Sequence, residues 1–123
     1  MAIEYKNSVK AVTSAGSDQT VYTCPTTTSL IKYMAIVKTF VVYNTTGGAG
    51  TLDAKIVDTS AGVAAVTFKH FTTSDYTTLK AVNVTADGPL ILESGDILKI
   101  YTSVQPANVV ISVMEVSDDL RGV

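Results

Sequence analysis

At 123 residues with a net charge of −2, the chain is one domain's worth of protein, long enough to bury roughly two thirds of the surface its unfolded form exposes. Val, Thr and Ile supply 43 of those residues, and branching at Cβ favours a pleated backbone, so the composition predicts an all-β fold. The chain has no run of Lys or Arg, which speaks against a nucleic-acid partner and leaves no polybasic segment to hold a membrane. Its charged fraction of 16% is low beside the about 25% of an ordinary soluble domain, which predicts that something other than water covers part of the surface.

The N-terminal MAIEYKNSVKAV has no basic segment followed by an apolar core, so it does not read as a secretory signal, and synthesis in a cytoplasm is expected. Val9 and Ala11 alternate with Lys10 and Val12, which predicts an edge strand or N-terminal arm within residues 1–18. Ser14 to Asp18 is a turn cluster. Gln19 to Cys24 predicts a short strand that ends at Pro25, whose ring removes a ladder donor. Cys24 is the single cysteine, so no internal disulfide can staple the fold.

Leu30 to Asn44 is the longest apolar run, and Lys32 and Lys38 keep it from reading as a membrane helix. It is long for one strand, which predicts a bend or bulge. The odd positions Ile31, Tyr33, Val37 and Val41 are assigned to a continuous core face. The even positions Met34, Ile36, Phe40 and Val42 are too apolar for a solvated one. Asn44 to Gly50 is a glycine-rich turn, and the strand from Thr51 to Asp58 beyond it is expected to pair back as a hairpin. Ala64 to Phe71 and Leu79 to Thr85 predict two further strands.

The last third, Asp87 to Ser117, holds apolar runs at 90–92, 97–104 and 109–116, cut by turns at 93–96 and 105–108. Gly95 supplies the positive φ that the first turn needs. These runs are expected to form a β-meander, with Leu98, Ile100, Ile111 and Val113 joining Ile56 in the core. Residues 117–123 read as a C-terminal tail. The whole, 1–123, is expected to be a single antiparallel β-sandwich, jelly-roll-like, of eight or nine short strands.

Little in this pattern carries chemistry. His70 is the only histidine, so no histidine-based metal cluster can be built, and nothing near it resembles a nucleophile elbow. Cys24 has no second thiol beside it and reads as a small buried hydrophobe. Glu93 and Asp96 flank one tight turn, where acidic residues serve local hydrogen bonding rather than glycoside hydrolysis. Gly47 to Gly50 lacks the Lys-Ser/Thr of a phosphate loop. No catalytic residue, cofactor or metal is expected, and the chain does not read as an enzyme.

Three stretches are more specific: Val21-Tyr22-Thr23-Cys24-Pro25 leading into Leu30 to Val42, then Asn44-Thr45-Thr46-Gly47, then Gly88-Pro89-Leu90-Ile91-Leu92-Glu93-Ser94-Gly95-Asp96. Over Thr20 to Ser117 the chain resembles small virion proteins of tailed bacteriophages. In that pattern Pro-Ala-Gly is usual where this chain has Pro25-Thr26-Thr27. The resemblance implies a short sandwich or jelly roll that decorates or cements a capsid as a homo-oligomer, most often a trimer. Its partners would be copies of itself and the major capsid protein or another virion protein, and its location the virion. A phage tail, neck or adaptor subunit is an alternative, and a carbohydrate- or receptor-binding sandwich is another.

The second apolar face gives the interface expectation its residues. Val110, Met114 and Val116 lie opposite the core positions of the last run, and Met34, Ile36 and Phe40 show the same excess in the longest one. These six are expected to pack subunit to subunit, unless a third layer or the N-terminal segment covers them within one chain.

Overall fold

The computed structural model describes residues 1–46, 48–59 and 61–119. In it the β-branched runs become nine strands: β1 (Ala2–Val12), β2 (Asp18–Thr23), β3 (Ile31–Asn44), β4 (Leu52–Asp58), β5 (Val63–Phe71), β6 (Ala81–Asn83), β7 (Leu90–Glu93), β8 (Ile97–Thr102) and β9 (Ala107–Asp119). All pairings among them are antiparallel. One sheet runs β1-β9-β3, with β6 and β7 sharing the far edge of β3; the other runs β2-β8-β4-β5. The nested pairing of β1 with β9, β2 with β8, β3 with β6 and β7, and β4 with β5 is a long hairpin rolled over on itself. This is the jelly-roll form of the sandwich.

That topology corrects several sequence expectations. The strands flanking Asn44 to Gly50 do not form a hairpin, because β3 and β4 lie in different sheets. The turn is a crossover, held by the buried Asn44 side chain. Its Oδ1 accepts from the backbone N–H and the hydroxyl of Thr46, and its Nδ2 donates to the carbonyls of Gly48 and Tyr76. Gly50 completes it: a Cβ there would collide with a Val104 methyl, so only glycine fits. The C-terminal third is likewise not a meander, since β7, β8 and β9 alternate between the two sheets. Its first turn is as expected, with Gly95 at φ 79° and Asp96 accepting from the Glu93 N–H at 2.9 Å. The second turn falls earlier than expected, at 103–106, and Asn108 already belongs to β9. Of the expected C-terminal tail, residues 117–119 extend β9, and 120–123 lie outside the described residues.

The longest strand does contain the expected irregularity. Opposite β9 the register shifts between Val37 and Thr39, so β3 carries one extra residue. Because side chains alternate with period two, one inserted residue exchanges the two faces. Before the bulge Ala35 and Val37 are buried; after it Phe40, Val42 and Asn44 are. The odd face is therefore not a continuous core. Val41 turns to the opposite side, where it pairs with Val110, and Phe40, expected at an interface, is fully buried inside the monomer. The backbone of Phe40 is held at the bulge: its N–H donates to Thr85 Oγ1 at 3.0 Å and its carbonyl accepts from Val84 at 2.7 Å. Val37, Leu98, Ile100, Ile111 and Val113 are buried as expected. Ile31, Tyr33 and Ile56 are only partly so.

The two sheets close along the β1–β2 margin by polar contacts. The inward side of β1 is polar: Lys10 Nζ donates to the Thr20 carbonyl at 2.7 Å, Ser8 Oγ to the Val21 carbonyl at 3.3 Å, and Lys6 Nζ lies 3.0 Å from Glu115 Oε1. The other oxygen of the buried Glu115 accepts from the Tyr22 hydroxyl at 2.5 Å. These bonds cap carbonyls of β2 that would otherwise form a bare sheet edge. They also explain why β1, an edge strand as expected, carries Lys and Ser on the side that faces the sandwich.

Candidate functional site

With Lys6, Ser8 and Lys10 turned inward, β1 presents Ile3, Tyr5, Asn7, Val9 and Ala11 outward. The registers align the outer side of the β1-β9-β3 sheet into rows of neighbours that share a face. Ile3, Val116, Met34 and Glu93 form one row; Tyr5, Met114, Ile36 and Ile91 form the next. A polar row follows, Asn7, Ser112 and Thr39, in which the Ser112 hydroxyl bonds Asn7 at 2.8 Å. Beyond it come Val9, Val110, Val41 and Asn83, then Ala11, Asn108, Tyr43 and Ala81. Two apolar bands thus flank one polar band.

Along the centre of the face Met34, Ile36, Val41, Met114 and Val116 are half-buried, and around them the apolar side chains are open to water. Tyr5 is 74% exposed, Val9 72% and Ile91 66%, and Ile3, Val110 and Tyr43 are exposed as well. Two shallow grooves flank Met34. One, of 290 Å³, lies toward Ile91 and Glu93; the other, of 170 Å³, lies toward Val116 and Asp118. Charges gather at that end of the face, where Lys32 stands beside Asp118 in the ladder and the Met1 ammonium lies 3.5 Å from the Asp118 carboxylate. An apolar centre with a charged rim is the anatomy of a protein interface.

The outer side of the other sheet shows what a solvated face looks like on this same scaffold. There Lys55 pairs with Asp18 at 2.9 Å and lies over the Tyr101 ring at 5.2 Å, while His70 bonds Asp53. An antiparallel sandwich with both outer faces in water is polar on both. Here the second sheet carries the ion pairs, although Val63, Val66 and Phe68 are exposed along its β5 edge.

Of the six residues expected at an interface, Met34, Ile36, Val110, Met114 and Val116 come together on this face. Phe40 does not, because the bulge turns it into the core. Sequence reasoning passed over Ile3, Tyr5, Val9 and Ile91. The signal was present in the alternation of Ile3, Tyr5, Val9 and Ala11 against Glu4, Lys6, Ser8 and Lys10. It marks an amphipathic strand whose apolar side need not be its inner side.

The candidate chemical groups lie elsewhere and apart. His70 lines an open cleft of 440 Å³ with Lys69, Phe71, Asp75, Lys80 and Asn83. Lys69 there is drawn to Asp87 at 2.8 Å, which holds the Asp87 carboxyl below the usual range. Cys24 is fully buried, and burial pushes its thiol up to about 11; a thiol so placed packs rather than attacks. Burial, and then the hydrogen bond to Glu115, raises the Tyr22 hydroxyl, while the bond to Glu115 raises Lys6. Among the described residues, no three His, Cys, Asp or Glu side chains form a group that could hold a metal.

No protein-family model matches the chain, and no curated protein matches it. Among solved structures it is similar to a protein of the Bacillus endospore appendages, which are described as a novel family of disulfide-linked pili. The identity is 13% and the TM-score 0.49, over 96% of this chain and 88% of that one. A likeness of that degree carries no argument about activity.

Proposed function

We propose that this chain is a structural virion protein of a tailed bacteriophage, a capsid decoration or cement subunit without catalytic chemistry, which works by packing against copies of itself. The observation that carries the self-packing is the outer face of the β1-β9-β3 sheet, apolar across adjacent strands, with Ile3, Tyr5, Val9, Tyr43, Ile91 and Val110 exposed in the single chain. Burying a side chain of this kind is worth about 1.5–3 kcal/mol. Five or six of them offset much of the about 4–15 kcal/mol that association costs. The virion setting rests on the motif resemblance between Thr20 and Ser117, which also implies the capsid protein as second partner and a trimer as the assembled form.

The alternatives named by the same resemblance, a tail, neck or adaptor subunit, would use the same face. A glycan-binding module draws less support, since the open 440 Å³ cleft beside His70 has one Phe and no Tyr in its lining, and that Phe71 already lies 5.9 Å beneath the Lys69 ammonium. The test is location and attachment. Antibody raised against the purified chain should label phage heads at many sites, and added protein should bind particles lacking it. Labelling confined to tails selects the adaptor reading, and absence from purified virions overturns the proposal.

A further inference from the structure

Three features of the apolar face bear on what covers it. Its extent is the first. Four strands about 4.8 Å apart, taken over roughly eleven residues at about 3.3 Å each, span on the order of 700 Å². That is close to the about 800 Å² each partner contributes to a stable interface of standard size. The second is relief: Tyr5 and Val9 stand out along the β1 side, while the larger groove lies on the β7 side, between Met34 and Ile91. The third is charge at the rim, where Lys32 on β3 and Asp118 on β9 are paired positions in the ladder.

We infer that the occupant is a second copy, packed face to face about a two-fold axis that runs along the strands between β9 and β3. This rests on the self-packing reading above and gives it a geometry. Under that operation strand order reverses while position along the strands is kept. The β9 strand of one copy lies over β3 of the other, and β1 lies over the β7 side. Apolar bands then meet apolar bands, except at the edge where Glu93 of each copy comes opposite Ile3 of the other, and the polar row of Asn7, Ser112 and Thr39 meets its own equivalent. Tyr5 of each copy faces Ile91, which lines the other's groove. At the rim, Asp118 of each copy is brought toward Lys32 of the other, so two opposite-charge contacts form per pair. A two-fold axis across the strands would also match the bands, but it would carry Asp118 to the far end of the partner face, away from Lys32. A self-complementary contact of this kind joins copies in pairs, so the elementary unit is a dimer rather than the trimer implied by the resemblance.

The rim charges allow a test that leaves the fold intact. In Lys32→Glu, a dimer would set the introduced carboxylate against Asp118 twice; in Asp118→Lys, it would set the introduced ammonium against Lys32 twice. Each variant, checked for wild-type circular dichroism, should self-associate at least about tenfold more weakly than wild type by sedimentation velocity, because like charges are juxtaposed. Mixed in equal amounts, the two should recover wild-type association as a heterodimer, in which both contacts are again between opposite charges. Single variants that weaken without rescue on mixing would overturn the axis while leaving self-packing in place. Wild-type association that neither variant disturbs would do the same. A wild-type chain that stays monomeric at high concentration would overturn both. If such a monomer binds phage particles and Val110→Asp with Met114→Asp abolishes that binding, the occupant is a virion partner and the second copy is ruled out.

Discussion

Phe40→Ala separates the core from the interface most sharply. The side chain is fully buried, and a Phe buries about 150–250 Å², so at about 25 cal/mol/Å² its transfer out of water is worth roughly 4–6 kcal/mol as an upper bound. Truncation leaves the backbone bonds to Thr85 and Val84 in place and opens a cavity between the sheets, for which about 3–5 kcal/mol is the usual cost. A domain of this size has a total stability of about 5–15 kcal/mol, so about a fifth or more should be lost. Urea unfolding, followed by circular dichroism at a concentration where the chain is monomeric, measures this directly. The midpoint should fall with the slope unchanged. A loss below about 0.5 kcal/mol, the level of ordinary surface substitutions, would mean that Phe40 faces solvent. It would remove the bulge at 37–39 and restore the unbroken odd-numbered core face.

Ile100→Ala, at a position with no exposure, should cost about 2–5 kcal/mol in the same assay; a negligible cost would invert the register of β8. Tyr76 is fully buried and, among the described residues, its hydroxyl has no hydrogen-bond partner, so Tyr76→Phe should raise stability by about 1 kcal/mol, and any loss would reveal a partner for that hydroxyl. Burial lifts Tyr76 from 10.0 to about 12 and Cys24 from 9.0 to about 11. A group with a raised folded pKa stabilises fully below its unfolded pKa and loses that contribution as pH rises through the folded one. Stability should therefore be level to about pH 9 and fall between pH 9 and 12, with a smaller fall in Tyr76→Phe, as read from urea midpoints across that range. Cys24 should resist a thiol reagent in the native protein and react on unfolding; fast native labelling would contradict its burial.

The strands themselves were legible, because alternation and turn residues mark where a strand begins and ends. Which sheet each strand joins was not. Gly-rich Asn44 to Gly50 looks like a hairpin turn, and only the contacts of Asn44 with Tyr76 and of Gly50 with Val104 make it a crossover. Those partners are distant in sequence, where local pattern is silent. The bulge was foreseeable from the length of β3 but its position was not, since it depends on where β9 and Thr85 engage the strand. That one unknown decided the fate of Phe40 and Val41. The candidate face was legible as an excess of apolar residues on both sides of β3 and β9. Part of that excess on β3 was the bulge exchanging core for surface, and the remainder is the candidate face. The share of β1 was missed because an apolar side is read as an inner side, whereas here the inner side has to cap the β2 edge and is polar.

The central claim is that the apolar face of the β1-β9-β3 sheet joins copies of this chain. Sedimentation velocity over a wide concentration range, comparing wild type with the double variant Val110→Asp, Met114→Asp, tests it most directly. Both substituted positions lie outside the core, so the variant should keep its fold by circular dichroism. Wild type should shift to an oligomer as concentration rises, and the variant should remain a monomer throughout. A variant that keeps the wild-type oligomer mass would show that the face is not where the copies meet.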